Sequence, residues 1–121
     1  MRWYNIDSIQ KVYAMVVGAV LVLLGLIGFV QAPILGIFGV NMAENILHLV
    51  GGAVGLWLGY SGSGKVYNMG LGIVAAVVAV LGFIPPTAAL LESVFAINQA
   101  ITLLHAGVAV VSLAVAFGVK E

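Results

Sequence analysis

Cysteine is absent from the 121 residues, and charge is scarce: four Lys/Arg and four Asp/Glu make up 7% of the chain. Without thiols there is no disulfide framework, no thiolate nucleophile and no zinc–thiolate site. Without a basic excess there is no electrostatic footprint for DNA or RNA, so no nucleic-acid partner is expected. Proline occurs only as Pro33, Pro85 and Pro86, which leaves long stretches where nothing interrupts a helix. What remains is 64% hydrophobic with 16 glycines. An ordinary globular chain is about half apolar and a quarter charged, so this is membrane composition. At this length residues 1–121 make a single transmembrane domain.

A bilayer core of about 30 Å takes about 20 apolar residues of helix. Val12 to Val30 carries no charge and forms the first span, and Val66 to Ile84 forms the third, stopped by Pro85-Pro86. The second is centred on Asn45 to Tyr60 and starts near Asn41, which with Glu44 three residues on has the form of a capping box; the 61–64 turn ends it. Asn98 to Gly118 makes the fourth. The first span is too long for a signal-peptide core and reads as a retained signal anchor. Arg2, Lys11, Lys65 and Lys120 fall on one side and Glu44 and Glu92 on the other, which predicts both termini on the cytoplasmic side. Trp3, Tyr4, Tyr13, Trp57, Tyr60 and Tyr67 lie at that same level and read as interfacial anchors. Residues 2–10 read as a segment along the cytoplasmic surface. The uncharged segment 31–40 and a short helix over 88–94 are expected to cap the opposite mouth.

The strongest signal is an internal repeat. Lys11-Val12-Tyr13-Ala14-Met15 with Gly18, Val20, Gly28 and Phe29 recurs 54 residues later as Lys65-Val66-Tyr67-Asn68-Met69 with Gly72, Val74, Gly82 and Phe83. In the second helix of each half, Phe38, Asn41, Leu47 and His48 recur 57 residues later as Phe95, Asn98, Leu104 and His105. The expected fold is therefore all-α: a four-transmembrane-helix bundle made by tandem duplication of a two-helix hairpin, with repeat one at 11–61 and repeat two at 65–118. Both copies start on the same side, so a pseudo-twofold axis should run along the membrane normal. Small-residue stripes allow close packing: Gly18, Gly25 and Gly28; Gly72, Ala75, Ala79 and Gly82; His48, Gly52, Gly55 and Gly59; and His105, Ala109, Ser112 and Ala116.

Asn41 and His48, like Asn98 and His105, stand seven positions apart, on nearly one helix face and about 10 Å apart along the axis. Asn45 and Thr102 fill equivalent places between them, so each half presents a polar track, expected to face the bundle interior because unpaired polar groups in lipid are costly. The two histidines have three readings. They could lock packing by hydrogen bonds, to Asn41 or Asn98 or to free carbonyls. They could bind a tetrapyrrole, as two axial ligands of a haem or one each to two chlorophyll-type pigments, or bind a metal. They could mark a proton or small-solute path. Glu44 reads as a charge stabilising a helix start and Glu92 as a solvated loop charge. No nucleophile–base set or phosphate loop is present, and an enzyme is not expected.

The blocks Gly25-Leu26-Ile27-Gly28-Phe29, Phe38-Gly39-Val40-Asn41, Asn45-Ile46-Leu47-His48-Leu49 with Gly52 and Gly55, and Leu103-Leu104-His105 resemble a family of small bacterial and archaeal four-span membrane proteins catalogued only as a domain of unknown function. The resemblance covers nearly the whole chain and implies four helices in a bacterial or archaeal cytoplasmic membrane, or an internal membrane of the same topology; it implies no activity. The reading is a structural or interaction subunit of a membrane assembly, contacting lipid and either other subunits or its own copies. The alternative is a tetrapyrrole-binding accessory subunit of an electron-transfer or photosynthetic complex with His48 and His105 as ligands, and the third is the proton or solute path.

Overall fold

The computed structural model describes residues 6–119. Arg2, Trp3, Tyr4 and Lys120, used above for sidedness and anchoring, lie outside the described residues. The described chain is helical: α1 (Ile6–Val30), α2 (Met42–Ser61), α3 (Gly64–Phe83), α4 (Pro85–Phe95) and α5 (Gln99–Gly118). Among the described residues the only β feature is an isolated bridge between Ile34 and Phe38. Segments Ile9–Val30, Gly64–Phe83 and Gln99–Gly118 are each long and apolar enough to cross a membrane. α2 has the same 20 residues as α3 and α5 but carries Glu44, Asn45 and His48 in its first two turns, which lower its apolarity. Their outward faces are apolar, with Val12, Leu23, Leu26, Val77, Val80, Val110 and Phe117 about half exposed or more. Water makes such a surface costly, and lipid does not.

Helix starts follow local chemistry. The Asn41 side chain accepts from the Glu44 N–H at 3.1 Å and Asn98 accepts from the Ile101 N–H at 3.1 Å, each removing an orphan donor at a helix N-terminus. Ser63 does the same for α3 through the Val66 N–H at 3.2 Å. α4 opens with Pro85 and Pro86 at its first positions, where a missing N–H costs nothing, and closes on Ala96 in the left-handed region (φ 59°). The Thr87 hydroxyl donates to the Leu81 carbonyl at 2.6 Å and ties α4 to the end of α3.

α1 packs mainly on α2, and α3 on α5. At the first contact, a Cβ placed on Gly18 would stand 2.7 Å from the Gly52 oxygen and 2.8 Å from the Leu56 nitrogen, so the two backbones touch because neither residue has a side chain. The buried faces are the small-residue stripes: Gly52, Gly55 and Gly59 on α2, Gly72, Ala75, Ala79 and Gly82 on α3, and Ala109, Ser112 and Ala116 on α5. The halves are braced reciprocally. The Asn41 amide donates to the Val94 carbonyl and the Asn98 amide to the Ile37 carbonyl, both at 2.9 Å. Tyr67 on α3 donates to the Gly51 carbonyl of α2 at 2.9 Å, and Tyr13 on α1 shares a 2.7 Å hydrogen bond with Ser112 on α5.

Two expectations are corrected here. Tyr13 and Tyr67 turn inward to bond across the halves, whereas Trp57 and Tyr60 are exposed as anchors should be. Residues 6–10 continue α1 instead of lying apart along the surface; Gln10 is fully buried, and its amide donates to the Val115 and Val119 carbonyls at the end of α5, at 2.9 and 2.7 Å. Segment 31–40 is tucked down at Ile34 and Val40, both buried, while Leu35 and Ile37 face outward.

Candidate functional site

Between the helices lies a pocket of about 430 Å³. Its walls are Val17, Val20 and Leu24 of α1, Val74 and Val78 of α3, and Leu104 and Val108 of α5, with Leu91 and Phe95 of α4 also lining it. Its polar side chains are Glu44, His48 and His105. An apolar concavity with a few convergent polar groups is the usual form of a small-molecule site.

Each polar group is placed by its helix. Glu44 and His48 are four residues apart and so lie on one face of α2, with His48 Nε2 3.0 Å from Glu44 Oε1. His105 reaches across from α5, its Nε2 3.8 Å from the same carboxylate oxygen. Glu44 and His48 are buried and His105 is half-buried, with side-chain exposures of 6%, 11% and 15%. The His48 Nε2–H can donate to the carboxylate, while Nδ1 of both rings is buried without a protein partner. One ligand atom from each residue lies within 4.8 Å of the other two, an arrangement that can hold a metal ion.

The other predicted polar residues are not part of this cluster. Asn41 and Asn98 are occupied by caps and cross-loop bonds, so they are not the hydrogen-bond partners of the histidines. Asn45 and Thr102 are buried against the other helix of their own hairpin, Asn45 at Gly28 and Thr102 at Gly82, where a Cβ would collide with the Asn45 amide oxygen or the Thr102 hydroxyl. The polar residues thus divide between helix contacts and pocket and do not form one track. Glu92 is exposed on α4.

Glu44 is the residue that sequence reasoning missed. Its backbone N–H serves the cap, as the capping-box pattern implies, while its carboxylate turns inward to His48 and His105. The available signal was the four-residue spacing to His48. The same carboxylate bears on tetrapyrrole binding through both histidines: a macrocycle between the two rings would pass through the space that Glu44 Oε1 holds, 3.0 and 3.8 Å from the two nitrogens. With Glu44 in place, the pair does not fit a haem as two axial ligands.

No curated protein and no solved structure matches the chain. Residues 11–118 match the family described as Domain of unknown function (DUF4383). The match takes in all three apolar spans from the second turn of α1 onward, together with α2, α4 and the three pocket residues, and the chain belongs to that family.

Proposed function

We propose that the protein is a four-span membrane protein, N-in and C-in, whose two hairpins enclose a binding pocket for a small ligand, with Glu44, His48 and His105 as its polar contacts. It acts by binding, as an interaction subunit, and not by catalysis. Treating α2 as the fourth span is supported by its length and by its close packing along α1, which place its polar residues toward the bundle and its apolar ones outward. Duplication of a hairpin is supported by the reciprocal Asn41–Val94 and Asn98–Ile37 braces and the paired tyrosine bonds. Lys11 and Lys65 at the end away from α4 support the orientation.

One observation carries the reading: a buried carboxylate and two imidazoles meet at the wall of an otherwise apolar pocket, with two imidazole nitrogens left without protein partners. A cluster kept only for packing would be expected to close its own hydrogen bonds. A cluster kept for a ligand leaves donors or acceptors for it and costs the empty protein stability.

That difference is measurable. In chelator-washed protein the triple substitution Glu44→Leu/His48→Leu/His105→Leu is expected to leave the melting temperature unchanged or raise it, because apolar replacement of a whole buried polar group set is often neutral or favourable. A structural lock would instead lose stability when all three residues are replaced, and that loss would refute the binding reading.

A further inference from the structure

Glu44 poses a problem of charge. It is 5% exposed, and the pocket around it contains no cationic side chain. Lys11 is far away: its carbonyl oxygen lies 3.0 Å from where a Cβ on Gly59 would stand, and Gly59 is 15 residues along α2 from Glu44, about 22 Å at helical rise. Gly64, the residue before Lys65, packs against Gln10 and Lys11 at that same distant end. A carboxylate held out of water needs a compensating charge.

Two imidazoles and one carboxylate are a recognised ligand set for divalent first-row transition ions, whereas magnesium and calcium favour all-oxygen sites. The spacing is close to what such an ion needs. Bonds of about 2.0–2.2 Å put neighbouring donor atoms about 3–3.5 Å apart. The Glu44 oxygen already stands 3.0 Å from His48 Nε2 and 3.8 Å from His105 Nε2, with all three ligand atoms within 4.8 Å. The ligands come from both hairpins: α2 gives Glu44 and His48, and α5 gives His105 from across the pocket.

We infer that Glu44, His48 and His105 hold one divalent transition-metal ion of the zinc or ferrous class, with its open coordination positions facing the apolar pocket. This rests on the binding reading above and names the ligand's chemistry. The ion neutralises Glu44 and joins the two hairpins through α2 and α5. Its open positions let a further small donor molecule enter from the pocket. With Nε2 on the metal, the ring proton of each histidine sits on Nδ1.

The test uses the full chain in detergent micelles, washed with chelator and titrated with Co²⁺ and then Zn²⁺. The expected result is one equivalent of Co²⁺ bound with a visible ligand-field band that Zn²⁺ abolishes. Glu44→Gln, His48→Ala and His105→Ala should each weaken binding about hundredfold. His105→Cys should keep the site and add an intense near-ultraviolet thiolate-to-cobalt band; with no native cysteine, that band reports this position alone. This gain of signal would not come from a packing role, and it stands even if an alanine variant fails to fold. Absence of stoichiometric Co²⁺ binding by the wild type, binding untouched by all three substitutions, or a His105→Cys protein that binds without the thiolate band would each overturn the inference. No metal binding together with an undiminished melting temperature in the triple-leucine protein would overturn the metal and leave the pocket reading. A destabilised triple-leucine protein would overturn that reading itself.

Discussion

Gly18→Ala adds one methyl group at a close backbone contact between α1 and α2. The new Cβ would lie 2.7 Å from the Gly52 oxygen, 2.8 Å from the Leu56 nitrogen and 3.1 Å from the Gly55 carbonyl carbon. All three are main-chain atoms, so no rotamer change relieves the clash, and the helices must separate until the contact returns to the ordinary 3.4–4 Å range. Overpacking of this kind costs about 1–3 kcal/mol. Glycine-to-alanine in a helix also gains up to about 1 kcal/mol of propensity, which would hide part of the loss in a single measurement. Gly70→Ala and Gly107→Ala supply the reference, since each makes the same chemical change on α3 or α5 with nothing within 4 Å of the new atom. The propensity term is then common to all three, and Gly18→Ala should unfold about 1–3 kcal/mol more easily than either reference. Thermal or steric-trap unfolding in one detergent measures the gap. Equal stability of the three variants would refute the argument that backbone approach at Gly18 holds the first hairpin together.

Further outcomes follow from other contacts. Tyr67→Phe removes the 2.9 Å bond to the Gly51 carbonyl and should cost about 1 kcal/mol in the same unfolding assay; an unchanged midpoint would show that the bond contributes nothing. Asn98→Ala loses both the cap of α5 and the 2.9 Å bond to Ile37, and a loss of about 1–2 kcal/mol is expected, with faster amide exchange at the first turn of α5 as the local readout. Ala96→Gly relieves a left-handed residue at the end of α4 and should stabilise by about 0.5–1 kcal/mol, whereas a loss would mean that the Ala96 methyl makes a contact outweighing its strain.

Much of this fold was legible because membrane helices advertise themselves locally. Uncharged runs marked α1, α3 and α5, the residues that turned out to be caps marked the starts of α2 and α5, and glycine and alanine spacing marked the faces that pack. Roles with two local explanations were harder. Glu44 suits a helix N-terminus and also suits a buried ligand set, and only the position of α5 decides that its carboxylate meets His105. Tyrosine suits an interface and also suits an inward hydrogen bond, so Tyr13 and Tyr67 looked like anchors until Ser112 and the Gly51 carbonyl were placed beside them. The pocket was invisible for a related reason: a helix-face pattern tells which residues turn inward, but not how far apart α2 and α5 stand once they do.

The most direct test of a ligand-holding pocket is native mass spectrometry of the protein extracted from its own membrane in mild detergent, wild type beside Glu44→Ala. The account predicts a bound species on the wild-type chain that is lost from the variant while the variant remains folded. A bare wild-type mass, or the same bound species on both proteins, would contradict it.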